Sequence, residues 1–400
     1  MHGMCVDKLQ HVRHFLPRYV DEGKLPGYLC LISRRGDEAL FDAHGLMDVA
    51  RQRAIARNTV FRIYSMTKPV TSVALMMLYE RGLFQLDDPV ARYIPQWRKL
   101  KVFAGGDAES YDVRDPDRPM TVKDLLTHTS GLTYGFLHAH PVDAMYRAAG
   151  IGGLGRQGTL QSMVDDLAEL PLQFSPGARW NYSVSTDVAG YLVQRLADCD
   201  LDDFVAEQIT GPLGMTDSGF FVPGGAAERL AACYERVPKT SGFRLQDDPA
   251  ASAYLERPAF LSGGGGMVST IDDYHRFCRM LAGRGEVDGV RLLGRKTVEY
   301  MTINHLPGNR DLAAMGQPTF SETSYDGIGF GLGFSVVLDP AAANVIDSPG
   351  EFAWGGAAST YFFIDPVEDL IVIFMTQLLP SSSYPVRRQL KALAYQAIVD

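Results

Sequence analysis

Apolar residues recur with helical spacing in some stretches of this 400-residue chain and gather into short strand-like runs in others. From about residue 6 to 22 the spacing is helical. After Gly27 come two strand-like runs, 28–33 and 39–44. Arg34-Arg35-Gly36-Asp37 lies between them, so they read as a hairpin. A strand-like run, Val60-Phe61-Arg62-Ile63, leads towards a helical stretch over 70–80. There Val70, Val73, Ala74, Met77 and Leu78 predict one apolar face, and Gly82 a stop. Strand-like runs return near the C-terminus, at 333–338, 360–364 and 370–376, with Pro366-Val367-Glu368-Asp369 turning between the last two. A helix over 385–399 closes the chain.

The middle reads differently. Thr121-Val122-Lys123-Asp124-Leu125-Leu126 opens like a capping box, and 186–196, 201–209 and 270–281 have helical spacing. Loops rich in Gly, Asp and Pro separate them, notably 104–119 and 150–158. Strands at both ends with helices beside them predict an α/β (α+β) fold, with one antiparallel sheet built from the two termini. The expected division is an α/β domain of residues 1–85 and 282–400, a mostly helical domain of 86–281, and a site in the cleft between them.

Composition narrows the function classes. A hydrophobic content of 46% with 21% charged residues is that of a globular protein. The net charge of -9 and the lack of a Lys/Arg cluster argue against a nucleic-acid partner. The five cysteines are scattered and odd in number, which fits free thiols in a reducing compartment. The first residues carry no apolar run of signal-peptide length, and the apolar runs at 73–79 and 370–375 are too short to span a bilayer. A cytoplasmic protein with no membrane partner is expected. Neither C-x-x-C nor H-E-x-x-H occurs, and His138 with His140 is a bare pair in a loop, so no metal or cofactor is expected.

The candidate chemistry starts at Ser65-Met66-Thr67-Lys68, the one place where a lysine follows a serine by three residues. On a helix these share a face, with Cβ atoms about 5–6 Å apart. A desolvated lysine gives up its proton more readily and can then take that of the serine hydroxyl. Pro69 suits a first helical turn, so Ser65 sits at a helix N-terminus, where free N–H groups favour negative charge. A second motif, Trp180-Asn181-Tyr182-Ser183-Val184, places a tyrosine in a turn before a helix. Beside an ammonium, that phenol would be drawn towards phenolate and could exchange protons with Ser65. In a third, Trp354-Gly355-Gly356-Ala357, two glycines allow close backbone approach, and an N–H there could join that of Ser65 in an oxyanion hole. Taken singly, the second is more simply a tyrosine packed in the core or on the surface, and the third a bulge with a packed tryptophan.

Together and in this order the three motifs resemble family VIII carboxylesterases, a group similar in fold to class C β-lactamases and D-alanyl-D-alanine carboxypeptidases. The resemblance runs from about Gly27 to Thr376. It includes Met120-Thr121-Val122-Lys123-Asp124-Leu125-Leu126-Thr127-His128-Thr129-Ser130-Gly131-Leu132, then Phe174-Ser175-Pro176-Gly177, Gly211-Pro212-Leu213-Gly214-Met215, and Gly264-Gly265-Gly266-Met267-Val268-Ser269-Thr270. It implies Ser65 as acylated nucleophile, Lys68 as its activator, Tyr182 as general base and later acid, and the N–H groups of Ser65 and Ala357 as oxyanion hole. It further implies that Trp354, Gly355, Gly356 and Tyr134 border the substrate.

Two departures choose among the branches. Val184 stands where lactamases and carboxypeptidases usually carry asparagine, and Trp354-Gly355-Gly356 where they carry Lys-Thr-Gly. An indole in place of a cation favours uncharged substrates over those ending in a carboxylate. A G-x-S-x-G elbow is missing, and the glycine-rich run at 263–270 lacks the lysine of a phosphate loop, leaving a tight turn that feeds a helix capped by Ser269 or Thr270. The expectation is a serine carboxylesterase acting on small, short-acyl, uncharged esters. Hydrolysis of β-lactams or D-amino-acid peptides, and an idle relative serving as a binding scaffold, stay open as alternatives.

Overall fold

A computed structural model describes residues 3–153, 157–316 and 325–400. Met1, His2 and part of the expected 150–158 loop (154–156) lie outside the described residues. Eight strands form one antiparallel sheet in the order Ile328–Phe330, Ser335–Val337, Phe352–Gly355, Tyr361–Asp365, Leu370–Met375, Gly27–Arg34, Asp37–Asp48, Arg53–Ala54. The seam between the two ends of the chain is the pair in which Leu29 faces Met375 and Arg34 faces Leu370. The expected hairpin is present, longer than its apolar runs. Its turn residues Arg35 and Gly36 both have positive φ, 54° and 83°, which matches the twist of the flanking strands.

Every residue of Gly27–Arg34, Tyr361–Asp365 and Leu370–Met375 is buried, because helices cover both faces. Tyr28, Cys30, Ile32, Phe363 and Phe374 point to one side, against Val12 of the helix Val6–Phe15 and Leu390 of the helix Val386–Tyr395. Leu29, Leu31, Phe362 and Ile373 point to the other, into the core shared with the helices Thr67–Glu80 and Ile271–Ala282. Side chains alternate between the two faces, and because both faces are buried the strands read as continuous apolar runs in the sequence.

Several elements differ from expectation for local reasons. The first helix is broken into Val6–Phe15 and Pro17–Asp21, since Pro17 cannot donate to the preceding turn. Phe61–Arg62 pairs with Val268–Ser269 and not with the large sheet. The helix after Ser65 begins at Thr67 and is buried on all sides from Thr67 to Leu78, so it has no solvent face. It packs against the helix Ser185–Ala197 as well as beneath the sheet. Residues 86–281 carry strands that periodicity did not reveal. Val102–Gly106 pairs with Tyr111–Arg114, and Cys233–Arg236 with both Phe243–Asp247 and Leu378–Leu379. Thr121 is the N-cap of Val122–Leu126 in a full capping box with Asp124. Among the described residues no helix is long and apolar enough to cross a membrane.

Candidate active site

The chain reaches Ser65 through a constrained turn. The Ile63 N–H donates to Met267 O at 3.0 Å, and Tyr64 then takes φ of 43°, a conformation that costs a bulky residue on the order of 1–3 kcal/mol. A short 3-10 turn, Tyr64–Met66, runs into the buried helix. Tyr274 Oη donates to Met66 O at 2.9 Å and the Met267 N–H to Thr67 Oγ1 at 3.1 Å. Ser65 is thereby held, half-buried, at the head of a helix that cannot shift without disturbing the core.

One turn on, Lys68 is 1% exposed. Its Nζ donates to Gly264 O at 2.7 Å and Tyr134 Oη at 3.0 Å, and lies 3.3 Å from Ser65 Oγ. Burial lowers its pKa to about 7, and the charge of Asp187 opposes that fall. Asp187 is itself buried, and desolvation raises its carboxyl against the pull of Lys68. Ser262 Oγ (2.6 Å) and the Gly264 N–H (3.0 Å) donate to Asp187 Oδ1, so one carboxylate fixes the peptide whose neighbouring carbonyl holds the amine. The glycines of this run are steric requirements. A Cβ at Gly263 would lie 2.8 Å from Thr186 O, and one at Gly264 2.6 Å from Asp187 Oδ2. Downstream, the cap of Ile271–Ala282 is Thr270.

Tyr182 arrives from the opposite side and donates to Ser65 Oγ at 2.7 Å. Its segment is laid on residues 128–133: the Asn181 N–H donates to His128 O (2.9 Å), Asn181 Nδ2 to Leu132 O (3.0 Å) and the Val184 N–H to Thr133 O (3.2 Å). The phenol ring is caged by His128, Tyr134 and Trp354, with ring centres 5.1, 5.2 and 5.6 Å away, and Lys68 Nζ sits 4.5 Å from its own centre. Burial holds the phenol well above its ordinary pKa, against smaller opposing pulls from Ser65, the Trp354 indole and Arg387. From its sequence position beside an ammonium, Tyr182 is expected to be drawn towards phenolate. In the structure desolvation dominates both groups, so near neutrality the amine, not the phenol, is poised to give up its proton.

Trp354 and Gly355 end the strand Phe352–Gly355, and the chain turns at Gly356-Ala357 back to Tyr361–Asp365. A Cβ at Gly356 would meet Ile63 O at 2.3 Å, so only glycine lets this turn reach the residues before Ser65. Among the described residues the backbone N–H of Ser65 and that of Ala357 have no protein acceptor. Both residues line a cleft of about 570 Å³ with Tyr182, Trp354, Phe136 and Val337. Ser65, Lys68 and Tyr182 therefore converge, and Trp354, Gly355, Gly356 and Ala357 form one wall beside them. Tyr134 does not line the cleft as expected. It packs behind Lys68 and stacks on Phe136, which does.

Sequence reasoning missed Asp187, His128, the Gly264 carbonyl and Arg387, which also lines the cleft. Asp187 left one signal, a carboxylate among the apolar positions of a helix starting just after Tyr182. Arg387 left none. His140, half of the bare histidine pair, accepts the Val142 N–H at 3.2 Å as cap of the helix Pro141–Ala148.

The chain is 37% identical over 367 residues to Protein Rv1367c of Mycobacterium tuberculosis, covering 91% of this chain and 88% of that protein. It is 32% identical over 371 residues to Esterase EstB of Burkholderia gladioli, covering 89% and 86%. Among solved structures it is similar to EstCE1, described as a hydrolase with promiscuous acyltransferase activity, with a TM-score of 0.79 at 26% identity over 97% of this chain and 98% of that one. The sequence profile of the Beta-lactamase family matches residues 12–396. With nearly the whole length matched and the sheet of both termini in place, the chain belongs to the Beta-lactamase family.

Proposed function

We propose that this protein is a serine carboxylesterase that hydrolyses small, short-acyl, uncharged esters through an acyl-enzyme on Ser65. The observation that carries the reading is the convergence on one hydroxyl: Tyr182 Oη at 2.7 Å and Lys68 Nζ at 3.3 Å from Ser65 Oγ, at the edge of a largely apolar cleft. In acylation, neutral Lys68 takes the Oγ proton as Oγ attacks the ester carbonyl carbon. The N–H groups of Ser65 and Ala357 hold the developing oxyanion. The C–O bond to the alcohol then breaks, and the alkoxide takes the Tyr182 proton, which Lys68 returns to the phenol. Water repeats the sequence on the acyl-enzyme, and the carboxylic acid leaves. A base with pKa about 7 suits this role at neutral pH. Trp354, standing where a cation would hold a substrate carboxylate, supports neutral esters over β-lactams, and the esterase named among the relatives points the same way.

The test is direct. Ser65→Ala should abolish hydrolysis of p-nitrophenyl acetate, and a fluorophosphonate should add one label, mapped by peptide mass to Ser65. Wild-type activity in that variant, or a label elsewhere, would discard the reading. Acyl transfer to an alcohol in place of water is a second reading. It is favoured by the apolar walls of the cleft and by the acyltransferase activity in the description of EstCE1. A vinyl ester supplied with a long-chain alcohol in buffer should then yield the new ester as well as the acid.

A further inference from the structure

The oxyanion turn is held from behind by a residue far away in sequence. Arg387 lies in the first turn of the helix Val386–Tyr395, which packs across the sheet. Its Nη2 donates to Gly356 O at 2.9 Å and to Thr360 O at 2.9 Å. Thr360 O also accepts the Gly356 N–H at 2.9 Å, closing the turn that carries Ala357. Gly356 O and the Ala357 N–H belong to the same peptide unit. A cation on the carbonyl end of an amide draws electron density towards oxygen and makes the N–H at the other end a stronger donor. It also fixes the plane of that peptide, and with it the direction of the N–H. Gly355 makes room for the contact, since a Cβ there would lie 2.6 Å from Arg387 Cζ. The guanidinium is backed by the Tyr361 ring, 5.3 Å from its centre.

We propose that Arg387 is a positioning residue of the oxyanion hole, orienting and polarising the Gly356–Ala357 peptide so that its N–H stabilises the tetrahedral intermediate. This rests on the esterase reading above and adds a part to it. The turn has other anchors: Ser359 Oγ donates to Leu378 O at 2.7 Å, and the Leu378 N–H to Ala358 O at 3.1 Å. Loss of Arg387 should thus leave the turn folded but its peptide less polarised, which lowers transition-state binding and spares substrate binding.

Arg387→Met keeps the aliphatic stem and removes the donors, while Arg387→Lys keeps a charge that cannot span both carbonyls. With p-nitrophenyl acetate, Arg387→Met should lower kcat by about 10- to 100-fold with KM nearly unchanged, a share of what losing an oxyanion donor costs. Affinity for an alkylboronic acid, which becomes tetrahedral and anionic on Ser65 Oγ, should fall by the same factor as kcat/KM. Arg387→Lys should lie between, and it decides by the same ratio if the methionine variant does not fold. Wild-type kcat, a rise in KM alone, or unaltered boronate affinity would overturn the proposal. End-point fluorophosphonate labelling separates the two claims. If Ser65 of the wild type takes the label while kcat ignores Arg387, only the clamp falls; if Ser65 takes none, the clamp falls together with the esterase reading.

Discussion

At the scale of the residue, the proposed chemistry turns on which group holds a proton. Lys68 is buried among a carbonyl, two phenols and one hydroxyl, with Asp187 as the opposing charge that its pKa feels. Below about pH 7 its amine is charged and cannot accept the Ser65 proton; above, it is neutral and can. Acylation should therefore rise with pH through an inflection near 7 and then flatten, read as kcat/KM against pH for a neutral ester. The carboxylate of Asp187 raises the amine's pKa, so Asp187→Asn should move that inflection to lower pH. An inflection unmoved by Asp187→Asn would assign the titration to another group. Tyr182→Phe should lower kcat/KM by orders of magnitude without moving the inflection, because the phenol stays protonated throughout this range.

At the scale of the element, two adjacent glycines separate two kinds of constraint. An alanine at 356 drives Cβ into the carbonyl of Ile63 at 2.3 Å, and backbone cannot give way there. An alanine at 355 meets the end of the Arg387 side chain, which can move aside. Gly356→Ala should then cost about 100-fold or more in kcat, as the Ala357 N–H leaves the cleft, while Gly355→Ala should cost about tenfold by displacing the guanidinium. Equal losses in the two variants, measured on folded protein, would count against this division. The same contrast explains what the sequence discloses. Ser65 and Lys68 are legible because their relation is local, three residues on one helix. Thr121 with Asp124 is legible for the same reason. Arg387 and Asp187 act through contacts with chain 31 and 77 residues away, and no window of sequence contains both partners. The helix after Ser65 is expected to bury one face, from Val70, Val73, Ala74, Met77 and Leu78; in the fold Thr71 and Ser72 are buried as well, and Thr71 Oγ1 donates to Gly263 O at 2.8 Å.

At the scale of the whole molecule, the sheet ties the two ends of the chain together, and a buried ionic cluster ties the last helix to the strand that carries the site. Lys391 Nζ is bound by Asp347 and, at 2.6 Å, by Glu351, with all three side chains buried. Tyr395 Oη lies within hydrogen-bond distance of Asp347 (2.9 Å) and Asp365 (2.7 Å). Burial disfavours the Lys391 charge, but Glu351, Tyr361 and Asp347 outweigh it and hold the amine above its ordinary pKa. For Glu351, burial raises the carboxyl well above its usual range, and Lys391 opposes this. Lys391→Met leaves the carboxyls facing one another with no cation, which should cost about 3–5 kcal/mol, read from the denaturant midpoint. The deficit should depend on pH in a stated direction. Without Lys391 the folded pKa of Glu351 rises further above its unfolded value, so the folded variant binds the extra proton. Its stability is then greatest below the unfolded carboxylate pKa and is lost as pH rises, making the gap from wild type wider at pH 8 than at pH 5. Adding Glu351→Leu should recover part of the gap, because it removes one of the two carboxyls left without a cation, while Asp347 keeps the Tyr395 hydroxyl. Glu351 directly precedes Phe352–Gly355, whose end carries Trp354 and the oxyanion turn, so in Lys391→Met esterase activity should fail on heating before the rest of the sheet unfolds. Coincident loss of activity and of far-ultraviolet dichroism would show instead that the cluster stabilises the molecule as a whole and not the catalytic strand first.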